Sequence, residues 1–216
     1  MIKNRIDLIT LGCSKNLVDS ERLMGQLAAC GYKLFHDADD VKGEIVIVNT
    51  CGFIGDAKEE SINMILELCE AKKRRKIGQI FVMGCLSERY RKELLEEIPE
   101  IDRLYGKFDW KQILSDLGHR WDDSLKASRF RTTPSHYEYI KVGEGCNRFC
   151  AYCAIPLIRG KFVSRPFEDI LKEAHILLEK GIKELVVISQ DTTRYGSDFS
   201  PKNTIANLLR ELLKLK

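Results

Sequence analysis

The sequence lacks an excess of charge of either sign. Its 216 residues include 35 lysines and arginines against 32 aspartates and glutamates, which leaves a formal net charge of +3. A chain this close to neutral has no strong one-signed field of the kind that draws a protein to nucleic acid or to an anionic membrane. Overall charge therefore indicates neither type of partner.

The sequence also lacks long apolar runs. No segment approaches the roughly 20 consecutive apolar residues that a membrane-spanning helix requires. The opening segment MIKNRIDLIT has neither the apolar core nor the cleavage site of a secretion signal. We therefore expect a cytoplasmic protein without a membrane partner. In that reducing compartment, its eight cysteines are better explained as metal ligands than as disulfides.

The first 118 residues alternate between apolar strands and amphipathic helices. Strands are predicted over residues 6–11, 44–49, 79–84 and 101–105, and helices over residues 19–30, from about residue 56, over 88–97 and over 109–118. Strands that alternate with helices form a parallel sheet with helices on its faces. Residues 1–118 are therefore predicted to be an α/β domain.

The periodicity is lost over residues 119–136, a polar segment that we predict to be a linker. Residues 137–216 are predicted to form a second domain. Its predicted strands cover 137–143 and 183–189, and its predicted helices run from Pro166 to Gly181 and over 203–215. Two strand-helix units are too few to close a barrel.

Three cysteines, Cys13, Cys51 and Cys85, come at or just after the ends of predicted strands, in ITLGC, IVNTC and FVMGC. We call them the strand-end cysteines. Parallel strands end at one edge of a sheet, where such folds bind ligands, so we expect these thiols to converge. Burial as small apolar residues is the alternative, but recurrence in three units favours ligands. Cys30 and Cys69 instead continue apolar helix faces and are predicted to pack in the core.

The segment EGCNRFCAYCAIP follows a predicted strand and carries Cys146, Cys150 and Cys153, the loop cysteines, with three and two residues between them. Structural zinc needs four ligands. His136 is a candidate for the fourth, and we consider this alternative the weaker one. Thiolates also hold four-iron clusters. Three thiolates leave one iron of such a cluster without a protein ligand, so that it can bind a substrate or a cofactor.

This spacing resembles the signature of the radical S-adenosylmethionine superfamily, and the segment YIKVGEGCNRFCAYCAIPLIRGKFVSRP resembles its methylthiotransferase family. The segments GCSKNLVDSE, NTCGFIGDAKEES and MGC resemble the family's N-terminal domain, so the resemblance covers nearly the whole chain. It implies an N-terminal α/β domain followed by the start of a radical S-adenosylmethionine barrel, a partial TIM-like barrel. The remaining barrel units and a C-terminal TRAM domain are then expected to be missing after Lys216, which would leave apolar surface of the last helix exposed.

The resemblance also implies a chemistry for each group of cysteines. The loop cysteines would bind a four-iron cluster whose open iron chelates S-adenosylmethionine. Cleavage of that cofactor would give a radical able to remove hydrogen from an unactivated carbon. The strand-end cysteines would hold a second four-iron cluster, from which an already methylated sulfur is delivered.

Within the family, GCSKNLVDSE, TCGFI and ISQDTTRYG resemble the enzymes that methylthiolate the β-carbon of an aspartate in a small-subunit ribosomal protein. The tRNA-modifying relatives tend to carry GCQMN or GCKVN, so Ser14 and Lys15 favour the ribosomal protein as substrate. The family implies an electron donor such as flavodoxin or ferredoxin, and RNA contact through the ribosome or the TRAM domain. A tRNA adenosine methylthiotransferase is the first alternative. A zinc or cluster-bearing scaffold that binds the ribosome without catalysis is the second.

Other positions carry weaker signals. Tyr152, between the last two loop cysteines, is expected to lie against the adenine of S-adenosylmethionine or to pack on the barrel. Gln190 and Asp191 follow the second strand of this domain, where either cofactor contacts or ordinary loop polarity is expected. Arg159, in IPLIRG, matches the family pattern without an assigned role. The basic run 72–76, KKRRK, is predicted to be a solvated helix end rather than an RNA contact.

Overall fold

The structure is a computed structural model. It describes residues 1–127, 129–199 and 203–215. Its contacts divide the chain into two compact units, Met1–Phe130 and Arg131–Lys216. The boundary falls inside the segment 119–136 that the sequence predicts to be a linker. Outside the described residues lie residue 128 of that predicted linker, and residues 200–202 and 216 of the predicted second domain.

A five-stranded parallel sheet forms the centre of the first unit. Its strands are β1 (Ile2–Thr10), β2 (Lys33–His36), β3 (Gly43–Thr50), β4 (Gln79–Gly84) and β5 (Arg103–Leu104). Their order across the sheet is β2-β1-β3-β4-β5, and neighbouring strands are parallel throughout. The predicted α/β fold is confirmed.

Helices cover both faces of this sheet. They are α1 (Ser14–Ala29), α2 (Gly55–Lys73), α3 (Cys85–Arg89), α4 (Arg91–Glu97) and α5 (Trp110–Asp116). Val46 and Val48 of β3 pack in one core cluster with α2, α3 and α4, whereas Ile45 and Ile47 pack in another with α1 and α5. Alternate residues of a strand point to opposite faces, so a strand that is covered on both faces is apolar throughout. This explains the run IVIV in β3.

Three elements differ from the sequence prediction. α1 begins at Ser14, earlier than the predicted residue 19, and its N-cap residue makes no side-chain capping hydrogen bond, so the usual start signal is missing. The predicted helix 88–97 is two helices that meet at Tyr90, where φ is −123° and ψ is 37°. β2 is not predicted, because it has only four residues and pairs with β1 alone at the edge of the sheet.

Cys30 and Cys69 pack as the sequence predicts. Cys69 is buried in the cluster beneath α2, and Cys30 is partly buried against the cluster beneath α1. Burial raises the pKa of both thiols. A raised pKa disfavours the thiolate form, which is the form that binds metal.

The first part of the predicted linker packs on the first unit. Trp121 stacks on Trp110 of α5 with 5.9 Å between the ring centroids. The Gln26 side chain donates to the carbonyl oxygen of Asp122 at 2.8 Å and accepts from its N–H at 3.0 Å. These contacts attach the segment around Trp121 to α1 and α5.

The second unit is built on one strand-helix-strand element. β6 (Tyr137–Lys141) and β9 (Glu184–Ile188) are parallel neighbours, and α7 (Phe167–Glu179) lies between them in the chain. The sequence predicts these three elements. It does not predict α6 (Ile155–Arg159) or the short antiparallel pair β7 (Gly143–Glu144) and β8 (Val163–Ser164).

Helix α8 (Ile205–Leu212) is the last helix of the second unit. Its Leu208 is buried in the core with Ile140 of β6, whereas Leu209 and the C-cap residue Leu213 are exposed. Among the described residues, no helix has both the length and the apolar character that are needed to cross a membrane.

Asp7 is a buried carboxylate that ties β1 to the start of β3. It accepts from the Arg5 guanidinium at 2.7 Å and from the N–H groups of Lys42 and Gly43 at 2.9 and 2.5 Å. The substitution Asp7→Ala leaves a buried guanidinium without its counter-charge, which costs about 3–5 kcal/mol. We expect that loss in the free energy of unfolding measured by denaturant titration. The exposed Asp39→Ala should change it by less than about 0.5 kcal/mol, and equal effects of the two substitutions would contradict this account.

Candidate iron-sulfur sites

The strand-end cysteines lie at the carboxyl edge of the parallel sheet. Cys13 is the N-cap residue of α1, Cys51 directly follows β3, and Cys85 is the first residue of α3 after β4. The strand register makes β1, β3 and β4 end level with one another. The helices that follow β1 and β3 cover opposite faces of the sheet. Open α/β sheets bind ligands at such a switch point.

Gly12 brings the segment before Cys13 against Cys51. Its φ is +94°, a conformation that L side chains rarely adopt. A Cβ at this position would lie 2.7 Å from the Cβ and 3.0 Å from the Sγ of Cys51. The absence of a side chain at Gly12 is therefore a condition for the two cysteine segments to lie together.

Cys85 reaches the same place from β4. A Cβ on Gly52, the residue after Cys51, would lie 2.8 Å from the carbonyl carbon and oxygen of Cys85. The Sγ of Cys85 lies 3.9 Å from the Oδ1 of Asn16, in the first turn of α1. The three cysteine-bearing segments are thus neighbours at one edge of the sheet.

The donor set at this edge fits an iron-sulfur cluster. None of the eight cysteines forms a disulfide, and thiolates are the ligands of four-iron clusters. The ligand geometry is not preformed, however. Across residues 1–127, 129–199 and 203–215, no group of three or more His, Cys, Asp or Glu side chains is arranged to hold a metal ion. The structure shows adjacent segments that carry suitable ligands.

Ser61 of α2 fixes the backbone at Cys51. Its buried hydroxyl accepts from the N–H of Cys51 at 3.0 Å, lies 3.2 Å from the carbonyl oxygen of Cys51 and donates to that of Ala57 at 2.8 Å. Sequence reasoning missed this residue. Its position in the sequence could have indicated it, because Ser61 lies on the apolar face of α2 and a buried hydroxyl there needs a hydrogen-bond partner.

The loop cysteines lie between β7 and α6 in the second unit. Cys146 is buried and its N–H donates to the carbonyl of Gly160 at 3.1 Å, whereas Cys153 is half-buried and its N–H donates to the carbonyl of Cys150 at 3.0 Å. Cys150 itself is exposed. Main-chain hydrogen bonds within the loop and to the end of α6 thus close the loop, and Cys150 stays open to solvent. His136 packs its ring against Tyr137 with 5.1 Å between the centroids.

A buried ion-pair network anchors this loop at both ends. Glu144, just before Cys146, pairs with Lys141 of β6 at 2.6 Å and with Arg159 of α6 at 3.1 Å. Burial opposes ionisation of Glu144, but the two cations outweigh it and hold the pKa of this carboxyl below its usual range. The network gives Arg159 a role that the sequence does not reveal, which is to tie α6 to the strand before the loop.

Asp191 lies beside the cysteine loop. It pairs with Arg148, which stands between the first two loop cysteines, at 2.7 Å, and it accepts from the Thr193 hydroxyl at 2.6 Å. The Arg148 hydrogen bond is the main reason that the pKa of Asp191 lies below its usual range. The carboxyl end of β9 is thereby fastened to the loop.

Gln190 and Tyr152 also lie around this loop. The Gln190 amide donates to Glu144 at 3.4 Å, and its buried Oε1 has no hydrogen-bond partner among the described residues. A buried acceptor without a partner is a position that a bound ligand can satisfy. Tyr152 is 90% exposed, so the alternative that it packs on the barrel does not hold in this structure.

The basic run 72–76 is partly neutralised within the fold. Lys72 pairs with Asp102 at 2.6 Å, and Lys73 pairs with Glu70 at 3.0 Å. Both lysines lie in the last turn of α2, where cations are favoured by the helix dipole. These contacts agree with the prediction of a solvated helix end.

Two family models match the chain. Residues 5–106 match the family described as Uncharacterized protein family UPF0004, and residues 140–212 match the Radical SAM superfamily. The first match lies in the first unit and the second match lies in the second unit.

Curated relatives match nearly the whole chain. It is 55% identical over 212 residues to ribosomal protein uS12 methylthiotransferase RimO of Phocaeicola vulgatus, a match of 98% of this chain and 49% of the relative. The corresponding protein of Parabacteroides distasonis is 56% identical with the same coverage. That of Flavobacterium johnsoniae is 50% identical, over 97% of this chain and 48% of the relative. The chain therefore spans about half the length of these relatives.

A solved structure shares the fold. It is that of the radical S-adenosylmethionine methyltransferase TsrM from Kitasatospora setae, which matches this chain with a TM-score of 0.61 and 14% sequence identity. The match covers 98% of this chain and 51% of the TsrM chain. This likeness supports an α/β domain followed by a partial radical S-adenosylmethionine fold.

Over nearly its whole length the chain thus resembles the radical S-adenosylmethionine methylthiotransferases, as its motifs predict. Within that class, the curated relatives it matches carry the name ribosomal protein uS12 methylthiotransferase RimO. Proteins of this class use S-adenosylmethionine and four-iron clusters, and the two groups of three cysteines supply thiols suited to them.

The substitution Gly12→Ala tests the packing at the strand-end cysteines. A β-carbon there has to adopt an unfavourable φ, which costs about 1–3 kcal/mol, and it collides with Cys51. We expect a lower melting temperature of the metal-free chain and less iron bound after anaerobic reconstitution. The matched control is Gly55→Ala, because a Cβ on Gly55 has no neighbour within 4 Å. A Gly12→Ala chain that keeps the iron and stability of the control would contradict this account of the edge.

Proposed function

We propose that the full-length protein is a radical S-adenosylmethionine methylthiotransferase that adds a methylthio group to the β-carbon of an aspartate in ribosomal protein uS12. The substrate assignment rests on the 50–56% sequence identity to proteins named ribosomal protein uS12 methylthiotransferase RimO. Such an enzyme works in the cytoplasm, where ribosomal proteins are made. It draws electrons from a donor such as flavodoxin or ferredoxin, and it meets RNA through the ribosome or through a TRAM domain.

The domain assignment follows from the same proposal. Residues 1–118 form the methylthiotransferase domain with one cluster, residues 119–136 connect the domains, and residues 137–216 form the opening part of the radical S-adenosylmethionine domain. The two family matches, over 5–106 and 140–212, support this division.

The loop cysteines are proposed to hold the radical-generating cluster. The observation that carries this step is a set of three thiols on one closed loop, next to the carboxyl end of β9. Asp191 and Gln190 would contact S-adenosylmethionine, Asp191 through its carboxylate and Gln190 through its buried side-chain oxygen. Tyr152, which is exposed beside the loop, would lie against the adenine. Arg148 and the Glu144 network keep these groups in position.

The strand-end cysteines are proposed to hold the second cluster. Gly12, Gly52 and Asn16 bring their backbone segments together at the sheet edge. When bound, the two clusters and S-adenosylmethionine supply an adenosyl radical and a methylated sulfur. The chain's own part is to separate these tasks between two sets of ligands, each fixed to a different folded unit.

Substrate choice is tested with the full-length enzyme under anaerobic conditions. It is supplied with uS12 in one reaction and with tRNA in another, and the products are analysed by mass spectrometry. A methylthio group on the uS12 aspartate supports the proposal. A methylthio group on a tRNA adenosine with uS12 unmodified would overturn it and favour the tRNA-modifying alternative.

Replacing the loop cysteines with alanine and replacing the strand-end cysteines with alanine should impair different steps of the reaction. Without the loop cysteines, cleavage of S-adenosylmethionine to 5′-deoxyadenosine should cease, and product formation with it. Without the strand-end cysteines, some cleavage should persist, uncoupled from product. The controls Cys30→Ser and Cys69→Ser should keep both activities, and the buried hydroxyl at position 69 should cost roughly 1–3 kcal/mol of stability. Methylthiolated product from the enzyme without strand-end cysteines would contradict the assignment.

A further inference from the structure

Asn16 is a buried side chain in the first turn of α1, only 1% exposed. Its Nδ2 donates to the carbonyl oxygen of Leu11 at 2.9 Å and to that of Thr50 at 3.1 Å. Leu11 lies two residues before Cys13, and Thr50 directly precedes Cys51. One amide nitrogen therefore connects the ends of β1 and β3 at the two points where they deliver their cysteines.

The amide oxygen of Asn16 faces the third cysteine. Its Oδ1 accepts a weak hydrogen bond from the Cys85 thiol, with 3.9 Å between oxygen and sulfur. The carbonyl oxygen of Asn16 in turn accepts from the side chain of Asn49 at 2.9 Å. Asn16 thus has a hydrogen bond to each of the three cysteine-bearing segments.

The orientation of this amide is determined by its partners. Both hydrogens of Nδ2 are donated to main-chain carbonyls, and a flipped amide would set oxygen against two carbonyl oxygens. Aspartate has the same shape but has no N–H to donate. Alanine removes both the donors and the acceptor. The contacts of Asn16 therefore depend on its amide group and not on its size alone.

We infer that Asn16 is a positioning residue for the strand-end cluster, an inference that rests on the proposed function of the strand-end cysteines. It holds the turn before Cys13, the end of β3 and the Cys85 side chain in one place before metal binds. Partners in this outer shell orient ligands, and replacing one typically weakens metal binding about 10- to 100-fold. Asn16 itself contributes no ligand to the cluster.

Gln26 provides a matched control on the same helix. It is also a buried amide, 2% exposed, and it also makes two hydrogen bonds to main-chain groups. Its partner is Asp122, in the segment around Trp121, and Gln26 lies in the last turn of α1 rather than the first. Gln26→Ala therefore removes a comparable pair of buried hydrogen bonds without touching a cysteine segment of the site.

The experiment uses the chain with its loop cysteines replaced by alanine, so that only the strand-end cluster can form. This parent and its Asn16→Ala, Asn16→Asp and Gln26→Ala variants are reconstituted anaerobically with iron and sulfide. Iron release to EDTA is followed by the loss of cluster absorbance. The melting temperature of each metal-free chain is measured in parallel, which separates a general loss of stability from a loss at the cluster.

Both Asn16 variants should release iron about 10- to 100-fold faster than the parent, and Gln26→Ala should release it at the parent's rate despite a similar fall in melting temperature. An Asn16→Ala or Asn16→Asp rate equal to that of Gln26→Ala would overturn the inference while leaving the cluster in place. A parent that binds no iron would overturn the proposed cluster and the inference together. These two failures are therefore distinguishable.

Discussion

The parallel pairing of β1, β3 and β4 is the constraint on which the site of the first unit depends. Their register makes the three strands end level, and each strand end is followed within a few residues by a cysteine. A shift of one residue in β3 would turn its side chains to the opposite faces and displace Cys51 from the turn at Gly12. Ligand placement at this edge is therefore inseparable from sheet formation. Metal binding here should be linked to folding of the whole unit.

The second unit positions its thiols in a different way. Its cysteines come from one short loop, closed by main-chain hydrogen bonds and flanked by the buried network of Glu144, Lys141 and Arg159. The contact of this loop with a distant part of the chain is the ion pair between Arg148 and Asp191, which follows β9. One group of ligands thus depends on distant strands, and the other depends mainly on local chain geometry.

The same difference explains how much the sequence can predict. The loop cysteines are recognised from spacing alone, and buried strands such as β3 are recognised from continuous apolar runs. The edge strand β2 is not recognised from the sequence, because its four residues alternate between exposed and half-buried positions. Polar groups such as Asn16 and Gln26 cannot be predicted to be buried, for another reason. Sequence patterns place polar residues in solvent, whereas these two are buried because they bond partners that are distant in the chain. Such pairings exist only in three dimensions.

The central claim is that the chain carries two separate three-thiolate sites, each for one four-iron cluster. The most direct measurement is the iron, sulfide and zinc content of the anaerobically reconstituted chain, alongside chains that lack either the loop or the strand-end cysteines. We predict about eight irons per chain for the unaltered protein and about four for each altered one, with matching sulfide and no zinc. Zinc in place of iron, or an iron content that does not fall when either group of cysteines is removed, would contradict the account.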